Sequence, residues 1–215
     1  MKFNSSVFCS DDFWHLNLTW YTEKPRFSQC FKNTIIAVPC GVFVLTCLPW
    51  IFWIVSVKRG LKIKPNPPIS WIYLTKMVLN SFLIIFTGMK MYIEIDQSSL
   101  LRMSNCFNLV LTFFILFAAL GLTVFEKSHR ITSSLVMTIF WPIYLLAMIP
   151  EFLHVIYYFN QLDLLEVVSI LSSFGITIAL IVVNCFSDIT GLELENCQKV
   201  PPKDLSSFVS GLVFG

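Results

Sequence analysis

The sequence predicts an all-α integral membrane protein, a bundle of five transmembrane helices. Hydrophobic residues make up 56% of the 215 residues and charged residues only 13%, and the mean hydropathy is +0.73. This composition leaves too little polar surface to cover a soluble core of this size. The apolar residues also fall in five long runs, each close to the roughly 20 residues that a helix needs to cross the hydrocarbon core.

The bounds of the five spans follow from the residues that interrupt the apolar runs. The first span stops at Lys58-Arg59, and the proline-rich stretch 64–68 that follows cannot be helical. The predicted spans are 34–57, 69–89, 104–125, 131–149 with a helical extension through 158, and 164–186. The chain therefore divides into an amino-terminal segment (1–33), a five-helix membrane domain (34–187) and a polar tail (188–215).

Two glycosylation sequons place the amino terminus outside the cell. They begin at Asn4 and Asn17, and both precede the first span. Sequons are glycosylated only in the lumen, so we predict that both asparagines are modified there. Five spans put the two ends on opposite sides, which makes the tail cytosolic and the chain a multi-pass plasma-membrane protein. On this topology Lys90 and Glu151 lie outside, in or near the outer loops.

The cytosolic loop between the first two spans is basic. It contains four basic residues and no acidic one, namely Lys58, Arg59, Lys62 and Lys64. Two interpretations remain open: the loop attracts anionic lipid of the inner leaflet, or its charges only set the topology.

The sequence contains no motif for catalysis or cofactor binding. A phosphate-binding loop of the form G-x-x-x-x-G-K-[ST] is absent, and the three histidines are too far apart in the chain to form a metal motif. The net charge is only +2, and the aromatic residues lie inside apolar runs, which argues against nucleic-acid binding. We therefore predict no enzyme activity, cofactor, metal or nucleic-acid partner for this chain.

Polar residues inside the spans are the remaining functional candidates. Lys76 and Asn80 lie four apart on one face of the second span, and an ionisable group within a membrane is a functional hypothesis by default. Lys76 is close enough to the inner end to snorkel, so we favour snorkelling or a structural hydrogen bond over a substrate or ion site. We expect Asn105, Asn108 and Asn184 to form interhelical hydrogen bonds.

Small residues form a stripe on the fifth span, where Ser172, Gly175 and Ala179 share a face. Small residues allow helix backbones to approach closely in lipid. The partner is either another helix of this bundle or an external protein, and we favour internal packing.

The cysteines divide by their surroundings. Four lie in apolar runs and are predicted to be small buried hydrophobic residues, namely Cys40, Cys47, Cys106 and Cys185. Cys9 and Cys30 instead lie in the polar segment that carries the sequons, on the side of the membrane where disulfides form.

The order of four short motifs resembles a known membrane domain. Phe8-Cys9, the sequon with Trp20, Cys30-Phe31-Lys32-Asn33-Thr34 and, after the last span, Cys185-Phe186-Ser187-Asp188 occur in that order around five spans. This order is similar to the amino-terminal five-helix domain, transmembrane domain zero, of the multidrug-resistance-associated (C subfamily) ABC transporters and, more distantly, of the sulfonylurea receptors. The likeness covers nearly the whole chain.

The resemblance implies both site residues and a function. It implies a lumenal Cys9–Cys30 disulfide, glycosylation at Asn17, and the start of a lasso-like linker at Ser206-Ser207-Phe208. The expected role is that of an accessory domain of an ATP-driven exporter of organic anions and drug conjugates, serving trafficking, stability or docking onto the transporter core. The alternative is a stand-alone membrane protein that docks a partner channel or transporter. On either hypothesis the partners are the lipid bilayer and another membrane protein.

Overall fold

A computed structural model describes residues 27–58, 70–97, 103–129, 131, 134–159 and 162–186. These residues form five helices, and this part of the chain contains no strand. The helices are α1 (Gln29–Lys58), α2 (Trp71–Gln97), α3 (Met103–Ser128), α4 (Leu135–Tyr158) and α5 (Leu164–Cys185). Each is long and apolar enough to cross a membrane, which confirms the predicted fold class.

Serine hydroxyls cap three of the five helices. Ser28 accepts a hydrogen bond from the backbone N–H of Phe31, Ser70 from that of Ile72, and Ser134 from that of Met137. Each hydroxyl satisfies one backbone donor that has no partner inside the first helical turn. The fourth helix therefore begins at Leu135, after its cap, rather than at residue 131 as predicted.

Two helices extend further than the apolar runs that predicted them. α1 begins at Gln29 rather than at residue 34, and α2 continues to Gln97 rather than ending at residue 89. A helix satisfies its own backbone hydrogen bonds, so it can continue past the hydrocarbon region into polar sequence. The extension of α4 through Tyr158 was predicted and is confirmed.

The helices form a closed ring in the order α1, α3, α2, α5, α4, because each packs mainly against these two neighbours. Successive helices run in opposite directions, and a ring with an odd number of members must then contain one parallel pair, which is α1 with α3. We call the end of the bundle where α1, α3 and α5 begin the N side, and the opposite end the C side.

The apolar core fills the middle of the ring. Its largest fully buried side chains are Trp141, Phe43, Phe140, Ile54, Leu83, Leu116 and Leu180. Phe43 of α1 meets Phe140 of α4 edge to face, with ring centroids 5.0 Å apart. This core separates two polar clusters, one on each side.

Candidate functional site

The N-side cluster is centred on an ion pair inside the bundle. Lys90 Nζ, on α2, donates to both carboxylate oxygens of Glu151, on α4, at 2.6 Å. The two side chains are only 22% and 16% exposed. Because α2 and α4 are not main neighbours in the ring, this bond connects helices across the interior of the bundle.

A small cavity of about 50 Å³ lies beside the ion pair, and every helix contributes to its lining. Its polar side chains, besides the ion pair, are Asn33, Thr87, Asn108, Thr112, Tyr144, Ser169 and Ser173. Some of the hydroxyls are satisfied within their own helices: Thr87 donates to the carbonyl of Leu83, and Thr112 to that of Asn108, both at 2.8 Å. The amide oxygen of Asn108 has no partner among the described residues, although the residue is only 7% exposed.

The C-side cluster surrounds Glu126, which is 5% exposed near the end of α3. Trp50 Nε1, on α1, donates to Glu126 Oε1 at 2.7 Å. The Ser134 hydroxyl is a second hydrogen-bond partner, and Lys76 of α2 attracts the same carboxylate. Lys76 therefore has a charged group of a neighbouring helix close to it, and its predicted snorkelling or structural hydrogen bond stays a prediction.

Within the described residues, neither Asn108 nor Asn184 forms the interhelical hydrogen bond that we predicted. The side-chain amide of Asn184 donates to the carbonyl of Leu180, at 2.8 Å within α5, so the predicted interhelical bond is wrong for this residue. A short polar side chain can reach the carbonyl one turn earlier in its own helix, and that bond forms without any neighbour. Asn80 is buried and its amide oxygen, like that of Asn108, has no partner among the described residues, while the side chain of Asn105 lies outside them.

Gly175 does not make the internal contact that we favoured for the small-residue stripe. It lies on the exposed face of α5, and a Cβ added there would meet no atom within 4 Å. Ser172 and Ala179 are half-buried at the edge of the same face. The buried face is instead the adjacent one, which carries Ser169, Ser173, Thr177, Leu180 and Asn184. The face that carries this polar stripe is the buried one, because hydroxyl and amide groups that face lipid lose their hydrogen-bond partners.

Of the cysteines predicted to be buried, Cys40 is buried, Cys47 is half-buried and Cys185 is exposed, so the prediction is wrong for Cys185. Cys185 is the last residue of α5 and lies on its exposed face. The side chain of Cys106 is outside the described residues.

Cys30 lies in the first turn of α1 and is disulfide-bonded. Its predicted partner Cys9 is not among the described residues, so that pairing stays a prediction.

The remaining predicted site residues also fall outside the described part of the chain. They are the sequon asparagines Asn4 and Asn17 and the loop residues Arg59, Lys62 and Lys64; Lys58 ends α1, but its side chain is not described. Glycosylation and the lipid-binding loop therefore stay predictions.

The roles of Lys90, Glu151 and Glu126 do not follow from the sequence pattern used above. Lys90 and Glu151 were expected outside because each follows the end of a predicted apolar run. A signal was available: apolar residues continue after both, with Met91, Tyr92 and Ile93 in one case and Phe152 and Leu153 in the other. A charge flanked by apolar residues on both sides indicates a site within the helix bundle.

A closed ring of five spanning helices, with its intramembrane carboxylates faced by lysines, defines a polytopic α-helical membrane domain. Residues 6–164 match the family model of the ABC transporter TMD0 domain. The match includes α1 to α4 and ends where α5 begins. The chain belongs to this family, and it is therefore an accessory transmembrane domain of the ABC transporter type.

Proposed function

We propose that this chain is the accessory amino-terminal membrane domain of an ATP-driven exporter of organic anions and drug conjugates, of the multidrug-resistance-associated type. Its role is exerted through contact with a transporter core, in trafficking, stability or docking, and the chain performs no catalysis. The observation that carries the proposal is the match of residues 6–164 to the TMD0 family. The order of the cysteine, sequon and Cys-Phe-Ser-Asp motifs supports the C-subfamily assignment.

The internal arrangement of charge is consistent with such a role. Glu151 bonds to Lys90, and Glu126 bonds to Trp50 and is attracted by Lys76, so both carboxylates have partners inside the bundle. With both carboxylates paired inside the bundle, the described helices present a largely apolar exterior, and such helices associate with others by packing rather than by bulk hydrophobicity. The cytosolic tail 188–215 is the second contact surface that we propose.

Co-expression tests the proposal. A C-subfamily transporter core that lacks its own amino-terminal domain is expressed with this chain, and complex formation and surface delivery of the core are measured. We expect a stable complex that survives purification, and no saturable nucleotide binding by the chain alone. A variant ending at residue 187 is the matched control, because it keeps all five helices and removes the tail.

Saturable ATP binding by the isolated chain would contradict the proposal, as would failure of the full chain to associate with any C-subfamily core. Association with an unrelated channel subunit in the absence of a core would favour the alternative of an independent docking protein.

A further inference from the structure

The cavity beside the Lys90–Glu151 pair is a polar site inside the bundle, on the N side of the apolar core. Its lining combines an ion pair, two asparagines and several hydroxyls, drawn from all five helices. Lys90 and Glu151 each lie seven residues before the end of their helix, which places them about 10 Å below the N-side end. The site is therefore within the membrane-spanning part but close to one aqueous phase.

Asn108 supplies the second observation. Its side chain lines the cavity, is more than nine-tenths buried and has an amide oxygen without a donor among the described residues. A buried amide oxygen is costly to leave without a hydrogen bond, and nearly all such groups in proteins are satisfied. The occupant of the cavity must therefore be able to donate to Asn108 Oδ1.

The charges around the cavity restrict what that occupant can be. Lys90 is bound to Glu151, and Lys32 and His154 also act on the Glu151 carboxylate, so a metal cation would face several competing positive groups. An anion would face Glu151 and the amide oxygen of Asn108. A neutral molecule that both donates and accepts hydrogen bonds is compatible with all of these groups.

The volume of the cavity restricts the size of the occupant. About 50 Å³ exceeds the roughly 10 to 15 Å³ that one water molecule needs. It is far below the about 300 Å³ at which pockets for drug-sized ligands begin. A few water molecules fit, and a transported organic anion does not.

We propose that this cavity binds a small cluster of ordered water molecules that donates to Asn108 Oδ1 and bridges it to the Lys90–Glu151 pair. The cluster exchanges with the aqueous phase on the N side, past the two partly exposed charged side chains. Hydration of this kind reduces the desolvation that an ion pair suffers within a membrane. It also accounts for the concentration of hydroxyl groups at this level of the ring.

X-ray radiolytic labelling of the full chain in lipid nanodiscs tests the proposal, because radiolysis generates hydroxyl radicals from bound water as well as from bulk water. Met148 and Met137 both belong to the apolar core and are 5% and 2% exposed, but of the two only Met148 lines the cavity. These two methionines are therefore a matched pair. We expect Met148 to be oxidised at least fivefold faster than Met137, and H₂¹⁸O added before irradiation to label it.

An Asn108→Leu variant keeps a similar side-chain size and removes the acceptor. We expect its Met148 oxidation rate to fall towards that of Met137, while its melting temperature reports whether the bundle remains folded. Equal rates for Met148 and Met137 in the unmodified chain would overturn the proposal, and this comparison needs no variant. A melting temperature that rises with sodium but not with choline chloride would also overturn it, because a cation would then be the occupant.

Discussion

Glu151 and Glu126 are stabilised inside the bundle in different ways. Glu151 accepts two short hydrogen bonds from the ammonium group of Lys90, so its main partner carries a full opposite charge. The carboxylate of Glu126 accepts from two neutral donors, the indole of Trp50 and the hydroxyl of Ser134, and the charge of Lys76 attracts it as well. Substitution of Lys90 and substitution of Trp50 should therefore lower the free energy of unfolding by different amounts.

For the ion pair, we expect Lys90→Met to destabilise the protein by about 3 kcal/mol, because it leaves the Glu151 carboxylate buried without its counter-charge. The double variant Lys90→Met/Glu151→Met should regain most of that loss, since no unpaired charge remains. Thermal unfolding in a mild detergent measures both. Lys127→Met, which removes a lysine that lies 5.3 Å from the Tyr73 ring, is the control and should cost under about 1 kcal/mol. A double variant less stable than Lys90→Met would contradict this account.

For Glu126, we expect Trp50→Phe to destabilise the protein more than Trp53→Phe. The two indoles stack on each other, but only Trp50 donates to the carboxylate, and Trp53 is 53% exposed. Loss of a donor to a buried charged group costs about 1 to 3 kcal/mol, in addition to the lost packing that both variants share. Chemical unfolding of the two variants side by side gives the difference. Equal destabilisation would show that the hydrogen bond contributes nothing beyond packing.

At the scale of the elements, the sequence determined the number and type of helices better than their ends or their faces. Five apolar runs predicted five spans because hydropathy averages over a whole helix. The start of α4 was misplaced by four residues, at 131 instead of Leu135, because a cap depends on one hydroxyl, that of Ser134. The exposed position of Gly175 could not be predicted because the small-residue stripe and the polar stripe lie side by side on α5, and only the neighbours of α5 decide which is buried.

The helical start of α1 sharpens the disulfide prediction. Cys30 lies in the first turn, two residues after the cap residue Ser28, so a bond to Cys9 would attach the amino-terminal segment to the N-side end of α1. Closing this loop should stabilise the segment by about 3 kcal/mol in the chain-entropy model. Mass analysis after alkylation without reduction checks it. Cys40, Cys47 and Cys185 have free thiols and serve as internal controls, and labelling of both Cys9 and Cys30 would refute the pairing.

At the scale of the whole molecule, the order of the helices in the ring determines which polar groups meet. Lys90 and Glu151 are 61 residues apart in sequence, and Trp50 and Glu126 are 76 apart. Hydropathy and spacing contain no information on such pairs, because they depend on α2 lying opposite α4 and on α1 lying beside α3. The N-side cluster connects helices at one end of the ring, and the C-side cluster connects helices at the other end. The apolar core lies between the two clusters.

The orientation of the ring decides which aqueous phase the N side meets, and we predict that it is the extracellular one. Both sequons, at Asn4 and Asn17, precede α1, whose amino-terminal end lies on the N side. In cells, a glycosidase-sensitive mass shift should therefore be reduced by Asn17→Gln and abolished when Asn4→Gln is added. Asn160→Gln is the matched control, because this residue is not in a sequon and its substitution should leave the shift unchanged.

An epitope at residue 2 should bind antibody on intact cells. Binding only after permeabilisation would invert the topology, and the cavity near Lys90 would then open to the cytosol.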